Sequence, residues 1–178
     1  MIILFGAVGS GKSEQAKRLL VRLDCPYIST SHLLQEHLTP DRQKKMKAGK
    51  LVTDEDILSL LGPALDKAHV NDKECVLDGA PRSIGQAQWL DDKIKAKQVK
   101  LTAIIHLKVA KQTALDRLRD RHREDDQDEI IEERFKIYKE VTIPVLDYLK
   151  QRGYKIDEID GEQSPDRVEE DIKKVLGI

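Results

Sequence analysis

The sequence predicts a doubly wound α/β domain: five parallel strands with helices on both faces, in three layers. Three observations carry this. First, Ile2–Phe5, Cys75–Leu77 and Leu101–Leu107 are near-continuous apolar runs of strand length, as expected of strands buried on both faces. Second, helical patterns alternate with these runs; the first places Ala16, Leu19, Leu20 and Leu23 on one stripe. Third, Gly, Pro and Asp cluster at the joins between the two kinds of segment.

Taken in order, Ile2–Phe5 leads into Gly6-Ala7-Val8-Gly9-Ser10-Gly11-Lys12-Ser13, which fits G-x-x-x-x-G-K-[ST] throughout. Glycines there let backbone N–H groups close around a phosphate chain, and the following helix aims its positive end at the same anion. Lys12 adds a point charge for the outer phosphates, and the Ser13 hydroxyl suits Mg²⁺. The core is therefore expected to be of the P-loop NTPase type.

Pro26–Ser29 reads as a short second strand, and Thr30 or Ser31 as the cap of a helix through Leu33, Leu34 and Leu38. Pro40 opens a short helical stretch from Asp41 to Ala48, ended by Gly49. Thr53–Asp56 resembles a capping box before an apolar face of Ile57, Leu58, Leu61, Ala64, Leu65 and Ala68. Cys75–Leu77 runs into the turn Asp78-Gly79-Ala80-Pro81-Arg82, and a helix is expected from Ser83 to Lys95. After Leu101–Leu107, a helix with Ala110, Ala114, Leu115 and Leu118 inward runs into the charged segment Arg117–Asp126. Another begins near Asp128, with Ile131, Phe135 and Tyr138 inward, and should kink or break before Pro144. Tyr154–Ile159 is a weak fifth strand, expected at an edge. Ser164-Pro165-Asp166 starts the last helix with a cap, a proline and an acid.

The length of 178 residues fits one domain. Lys plus Arg number 31 against 32 Asp plus Glu, a net charge of −1, which argues against a general nucleic-acid or membrane binder. No apolar run has membrane-spanning length, and the N-terminus enters a strand rather than a signal peptide. The two cysteines, Cys25 and Cys75, match no zinc or redox spacing, so both are expected as buried free thiols in a reducing cytoplasm.

Ligands of doubly wound sheets bind beyond the carboxyl ends of the strands. That rule gathers Gly6–Ser13, Ser29–Thr30, Asp78–Arg82 and the residues after Leu107 on one edge. Asp78 is placed to hold the water shell of Mg²⁺. Arg82, Arg117, Arg121, Arg123 and Arg134 supply the guanidiniums that a moving phosphoryl group requires, because its charge spreads over several oxygens. The competing reading is a solvated helix face paired with Glu124, Asp125 and Asp126.

Gly6–Lys12 with Gln15-Ala16, Ile28-Ser29-Thr30, Gly49-Lys50-Leu51-Val52-Thr53, Leu77–Arg82 with Gln86, Asp116-Arg117, Asp125-Asp126 and Arg134 together resemble the adenylate kinase family, in order and over essentially the whole chain. The resemblance implies transfer of the γ-phosphoryl of ATP to AMP with Mg²⁺; the chain is read as a monomer, and its lid is too short to hold a four-ligand zinc site. It places Gly9, Ser10, Gly11, Lys12, Ser13 and Glu14 along the ATP phosphates, Arg117 and Arg121 on ATP, and the turn containing Ser164 over the ATP base. Thr30, Gln35, Lys50, Leu51, Val52, Gly79, Ala80, Pro81, Arg82 and Gln86 would form the AMP pocket, with Gln86 reading the adenine edge. Arg123 and Arg134 would bridge both nucleotides. The core would comprise residues 1–28, 53–120 and 127–178, with an AMP-binding flap at about 29–52 and a lid at about 121–126.

Four departures from the family pattern stand out. Val8 and Ser13-Glu14 replace the usual Pro and Gly-Thr. Gln35 replaces an arginine on the AMP phosphate, which predicts weak AMP affinity or another acceptor, such as UMP or CMP. Ala80 replaces an aromatic residue, and Gly85 a proline. The lid is a stub, which predicts some ATP hydrolysis without acceptor. A catalytically weak nucleotide-binding homologue is the alternative from another class.

Overall fold

The computed structural model describes residues 1–37, 53–70, 72–121 and 127–178. In chain order the elements are β1 (Ile2–Gly6), α1 (Lys12–Leu23), β2 (Tyr27–Ser29), α2 (Thr30–His37), α3 (Asp54–Lys67), β3 (Val76–Asp78) and α4 (Ile84–Lys95). They continue with β4 (Ala103–Lys108), α5 (Lys111–Arg121), α6 (Asp128–Ile137), a π-helical turn (Tyr138–Thr142), α7 (Ile143–Gln151), β5 (Asp157–Asp160) and α8 (Pro165–Leu176).

The strands form one parallel sheet in the order β2-β3-β1-β4-β5. Side chains alternate across it, so β1 feeds two cores. Ile3 and Phe5 pack with Leu77, Ile104 and the apolar faces of α3, α4 and α7. Ile2 and Leu4 pack with Val76, Ile105, Leu107 and the faces of α1 and α8. These are the three layers expected, and the central strand is apolar on both sides because both sides are covered.

The helix starts follow their capping chemistry. Thr53 accepts from the Asp56 N–H at 3.2 Å while its hydroxyl donates to Asp56 Oδ2 at 2.7 Å. Ser83 and Ser164 cap α4 and α8 by accepting from the Gln86 and Arg167 N–H groups. The stretch predicted at 41–48 and residue Leu38 lie outside the described residues.

Three expectations are refined. The third strand leaves out Cys75 and ends at Asp78. The fifth strand is shorter than Tyr154–Ile159 but does lie at an edge, beside β4. The chain does not break before Pro144. It widens into the π-helical turn, where the Ile143 N–H bonds the Tyr138 carbonyl, and continues as α7 with Pro144 in its first turn. Proline has no N–H to donate and crowds the carbonyl four residues back, and one extra residue in the turn relieves both. Of the two free thiols, Cys75 is buried and is pushed up to about 12 by that burial, whereas Cys25 is only half-buried. Among the described residues no helix is long and apolar enough to cross a membrane.

The layer formed by α4 and α7 encloses a carboxylate. Asp91 is 1% exposed and accepts from Lys95 Nζ at 2.7 Å, Arg152 Nε at 2.9 Å and Tyr154 OH at 2.7 Å. Burial alone would raise its pKa; the three donors outweigh burial and hold it below the usual carboxylate range. A depressed folded pKa adds stability that is complete above the unfolded value of about 3.9 and is lost as pH falls through the folded value. We expect Asp91→Asn to cost about 1–3 kcal/mol near neutrality and to flatten the acid limb of a Tm-against-pH curve below about pH 4. An unchanged acid limb in that variant would locate the acid sensitivity elsewhere.

Candidate active site

The glycine-rich loop leaves β1 at Gly6 and enters α1 at Lys12, with Gly11 as the N-cap at φ 92°. Gly9 has φ 76°, and a Cβ on it would stand 2.7 Å from the Ala114 carbonyl oxygen of α5. Only glycine therefore lets the loop lie against that helix. Lys12 Nζ donates to the Gly6 and Ala7 carbonyls at 2.7 and 2.8 Å and to Ser10 Oγ at 3.3 Å. Its ammonium thus lies against the loop's own backbone, where a phosphate chain would sit.

Ser13, in the first turn of α1, points its hydroxyl across to β3 and approaches Asp78 Oδ2 at 3.4 Å. The same oxygen accepts from Tyr27 OH at 2.9 Å. Asp78 is 7% exposed. Burial, then the Asp78 charge, pushes the Tyr27 phenol up to about 12, so it remains a donor. A hydroxyl and a carboxylate facing each other are hard oxygen donors, the set that suits a Mg²⁺ ion retaining part of its water.

The turn after β3 is packed on α2. Gly79 has φ 94°, and a Cβ there would collide with the buried Thr30 hydroxyl. The Ala80-Pro81 peptide is cis. The Arg82 N–H donates to Gln86 Oε1 at 2.8 Å, and Gln86 Nε2 donates to Asp54 Oδ1 at 2.9 Å. Ser83 Oγ donates to the same Asp54 carboxylate at 2.7 Å. Both ends of the Gln86 amide are therefore engaged in holding this turn to α3. Asp54 is a residue that sequence reasoning took only as part of a cap; nothing in a linear pattern says that a first-turn acid will be used by a helix thirty residues later. Burial pulls the Arg82 guanidinium below its ordinary pKa, Asp78 opposes that, and the like charge of Arg134 adds to it. Arg82, Asp78 and Arg134 of α6 thus share one electrostatic environment.

On the other side of the loop, Arg117 Nη2 on α5 reaches the Glu162 carbonyl at 3.5 Å. The Glu162 carboxylate accepts from the Ala110 N–H at 2.7 Å. Gln15 Nε2 donates to the Pro165 carbonyl at 2.8 Å, next to the Ser164 cap. The loop helix, α5 and the turn bearing Ser164 are thereby joined. Glu14 is turned to Arg18, which accompanies it at 3.1 Å and also binds Asp166 and Glu169. That ion-pair set explains how an acid is accommodated beside the loop. Gln35 lies exposed on α2. Arg121 ends α5; Lys50, Leu51, Val52, Arg123 and the rest of the expected lid lie outside the described residues.

His106 escaped the sequence reading. It is 5% exposed on β4, and its Nε2 shares a hydrogen bond with Tyr138 OH at 2.5 Å. That contact fixes the π-helical turn, and with it α6 and Arg134, to the strand beside the loop. Burial holds the imidazole below its usual pKa, with Glu158 opposing. A cleft of about 490 Å³ runs between the loop and α6, bordered by Ala7, Val109, Phe135 and Tyr138.

A phosphate loop facing a strand-end carboxylate occurs in more than one nucleotide-binding family. A model of the family described as adenylate kinase matches residues 4–154. The chain belongs to the adenylate kinase family. A protein named adenylate kinase from Xanthomonas euvesicatoria pv. vesicatoria is 37% identical over 99% of this chain and 98% of its own length. Adenylate kinase from Mycolicibacterium vanbaalenii is 34% identical over 83% of this chain and 84% of its own. Adenylate kinase from Mycobacterium sp. is 33% identical over 89% and 90%. This member of the adenylate kinase family is accordingly a nucleotide-binding phosphotransferase. Among its described residues no three His, Cys, Asp or Glu side chains cluster as a metal site would need.

Proposed function

We propose that this kinase moves the γ-phosphoryl of Mg·ATP onto AMP, giving two ADP, in one in-line transfer. The observation that carries the reading is the Ser13–Asp78 approach, which brings the phosphate loop to the end of β3, four residues before Arg82. Gly9, Ser10, Gly11, Lys12 and Ser13 would hold the donor phosphates. Arg117 and Arg121 would neutralise the donor side, with the turn around Ser164 against the base. Thr30, Gly79, Ala80, Pro81 and Arg82 would seat the acceptor, together with Lys50, Leu51 and Val52. Arg123 and Arg134 would meet the phosphoryl in flight. Because the side-chain amide of Gln86 holds the Arg82 turn, its adenine-reading role requires one of those bonds to exchange on binding.

No nucleophilic side chain is needed. An acceptor phosphate oxygen attacks, while the protein aligns the two phosphates and neutralises charge in a site shielded from water. Ser13 and Asp78 would hold Mg²⁺, partly through water, and the ion would supply neutralising charge to the donor phosphates. All these groups belong to one chain, so a monomer suffices.

The test is to incubate the protein with Mg·ATP and each nucleoside monophosphate and separate the products. ADP from AMP in the ratio of two per AMP consumed is expected; a diphosphate from another acceptor only, or none, overturns the reading. A companion prediction concerns Gln35. A neutral amide lacks the charge-assisted contact an arginine makes with phosphate, so Gln35→Arg should lower the KM for AMP about tenfold with little change in the KM for ATP. An unchanged AMP KM would mean that this position does not meet the phosphate.

A further inference from the structure

Tyr27 plays no part in the reading above, yet its hydroxyl is bonded to the site's buried carboxylate. We infer that Tyr27 is a positioning residue for Asp78: its phenol fixes Oδ2 so that the rest of the carboxylate stays turned toward the divalent cation of the bound nucleotide. This rests on the reading of Asp78 as the holder of that cation.

The register makes the contact possible. β2 pairs with β3 so that Tyr27 lies beside Val76 and Ser29 beside Asp78. The hydroxyl must therefore travel two residues along the strand, roughly 7 Å, which is about the reach of a tyrosine lying along the sheet edge. Tyr27 remains 36% exposed as a residue because β2 is the edge strand, while its hydroxyl points inward to a residue that is 7% exposed.

Distances decide which donor holds Asp78. Tyr27 approaches Oδ2 at 2.9 Å, whereas Ser13 Oγ stands at 3.4 Å, near the limit of a hydrogen bond. The Ser13 hydroxyl is also the group that the cation would take. Tyr27 then remains as the donor on Oδ2.

The residue type matters too. A lysine or arginine at this place would cancel the carboxylate's charge and compete with a cation. A phenol donates a hydrogen bond and leaves the negative charge in place. Groups that orient a metal's ligands in this way commonly change metal affinity about tenfold or more when removed.

The experiment measures Mn²⁺ binding by electron paramagnetic resonance. The complex of the protein with the β,γ-imido analogue of ATP is compared for the unmodified chain, Tyr27→Phe and Asp78→Asn, with thermal melts to confirm that each is folded. We expect Tyr27→Phe to weaken Mn²⁺ binding about tenfold, to raise the Mg²⁺ concentration for half-maximal rate by a similar factor, and to leave the KM for AMP unchanged. Weakened binding in Asp78→Asn with unaltered binding in Tyr27→Phe overturns this inference alone. Unaltered binding in Asp78→Asn overturns the reading of Asp78, and the inference with it. If Tyr27→Phe lowers affinity for the analogue equally with and without metal, the phenol serves packing and the inference is overturned.

Discussion

Replacing Lys12 by methionine is expected to lower kcat by about 10²–10³-fold while the protein stays folded. The ammonium lies against the Gly6 and Ala7 carbonyls and Ser10 Oγ, inside the curve of the loop. In that position it would meet the outer donor phosphates, where negative charge rearranges during transfer. An interaction that strengthens in the transition state appears in kcat rather than in KM alone. Methionine keeps the length of the stem and removes the charge, so its effect is not one of lost volume. The loop itself should persist, since Gly11 still caps α1 and the Ser10 N–H still bonds the Ala7 carbonyl. Steady-state rates and a melting curve on the same sample check both halves. Loss of rate together with collapse of the fold would remove the catalytic interpretation; a rate within threefold of the unmodified chain would remove Lys12 from the mechanism.

Arg82→Ala is expected to reduce kcat about 10³-fold, and Arg134→Ala to do much the same. Arg82 is partly buried, and its guanidinium feels the opposite charge of Asp78 and the like charge of Arg134. A phosphoryl group in transit is an anion, and guanidiniums suit it because they present paired donors in a fixed plane. Groups that act as one unit are not additive. The double variant should therefore lose little beyond either single one. Independent, multiplying losses in the double variant would show that the two arginines serve separate steps. Arg82→Lys should recover only a small part of the rate, since a point charge cannot copy the paired contact.

Much of this was legible in the linear chain. Apolar runs such as Ile2–Phe5 and Cys75–Leu77 pointed to strands covered on both faces, and the sheet does carry a core on each side. Periodicity and caps placed the starts at Thr53, Ser83 and Ser164 because capping is a local contract between residues three apart. The phosphate loop, the Asp78–Arg82 turn and the order of the arginines together spelled out a phosphoryl-transfer family. All of these are short-range patterns, in which the residues that interact are near neighbours or repeat at a fixed period.

Folding decided the rest. The chain alone does not say that Tyr27 shares Asp78 with Ser13, that Asp54 holds Gln86 and Ser83, or that His106 fastens the turn beside Arg134. Nor does it say that proline at 144 would be met by a widened turn instead of a break. These contacts join residues from 29 to 65 positions apart, or depend on how much room a neighbouring layer leaves. They are set by strand register and by the packing of helices on the sheet, and a side chain's partner across such a distance is fixed only when the layers between them have closed.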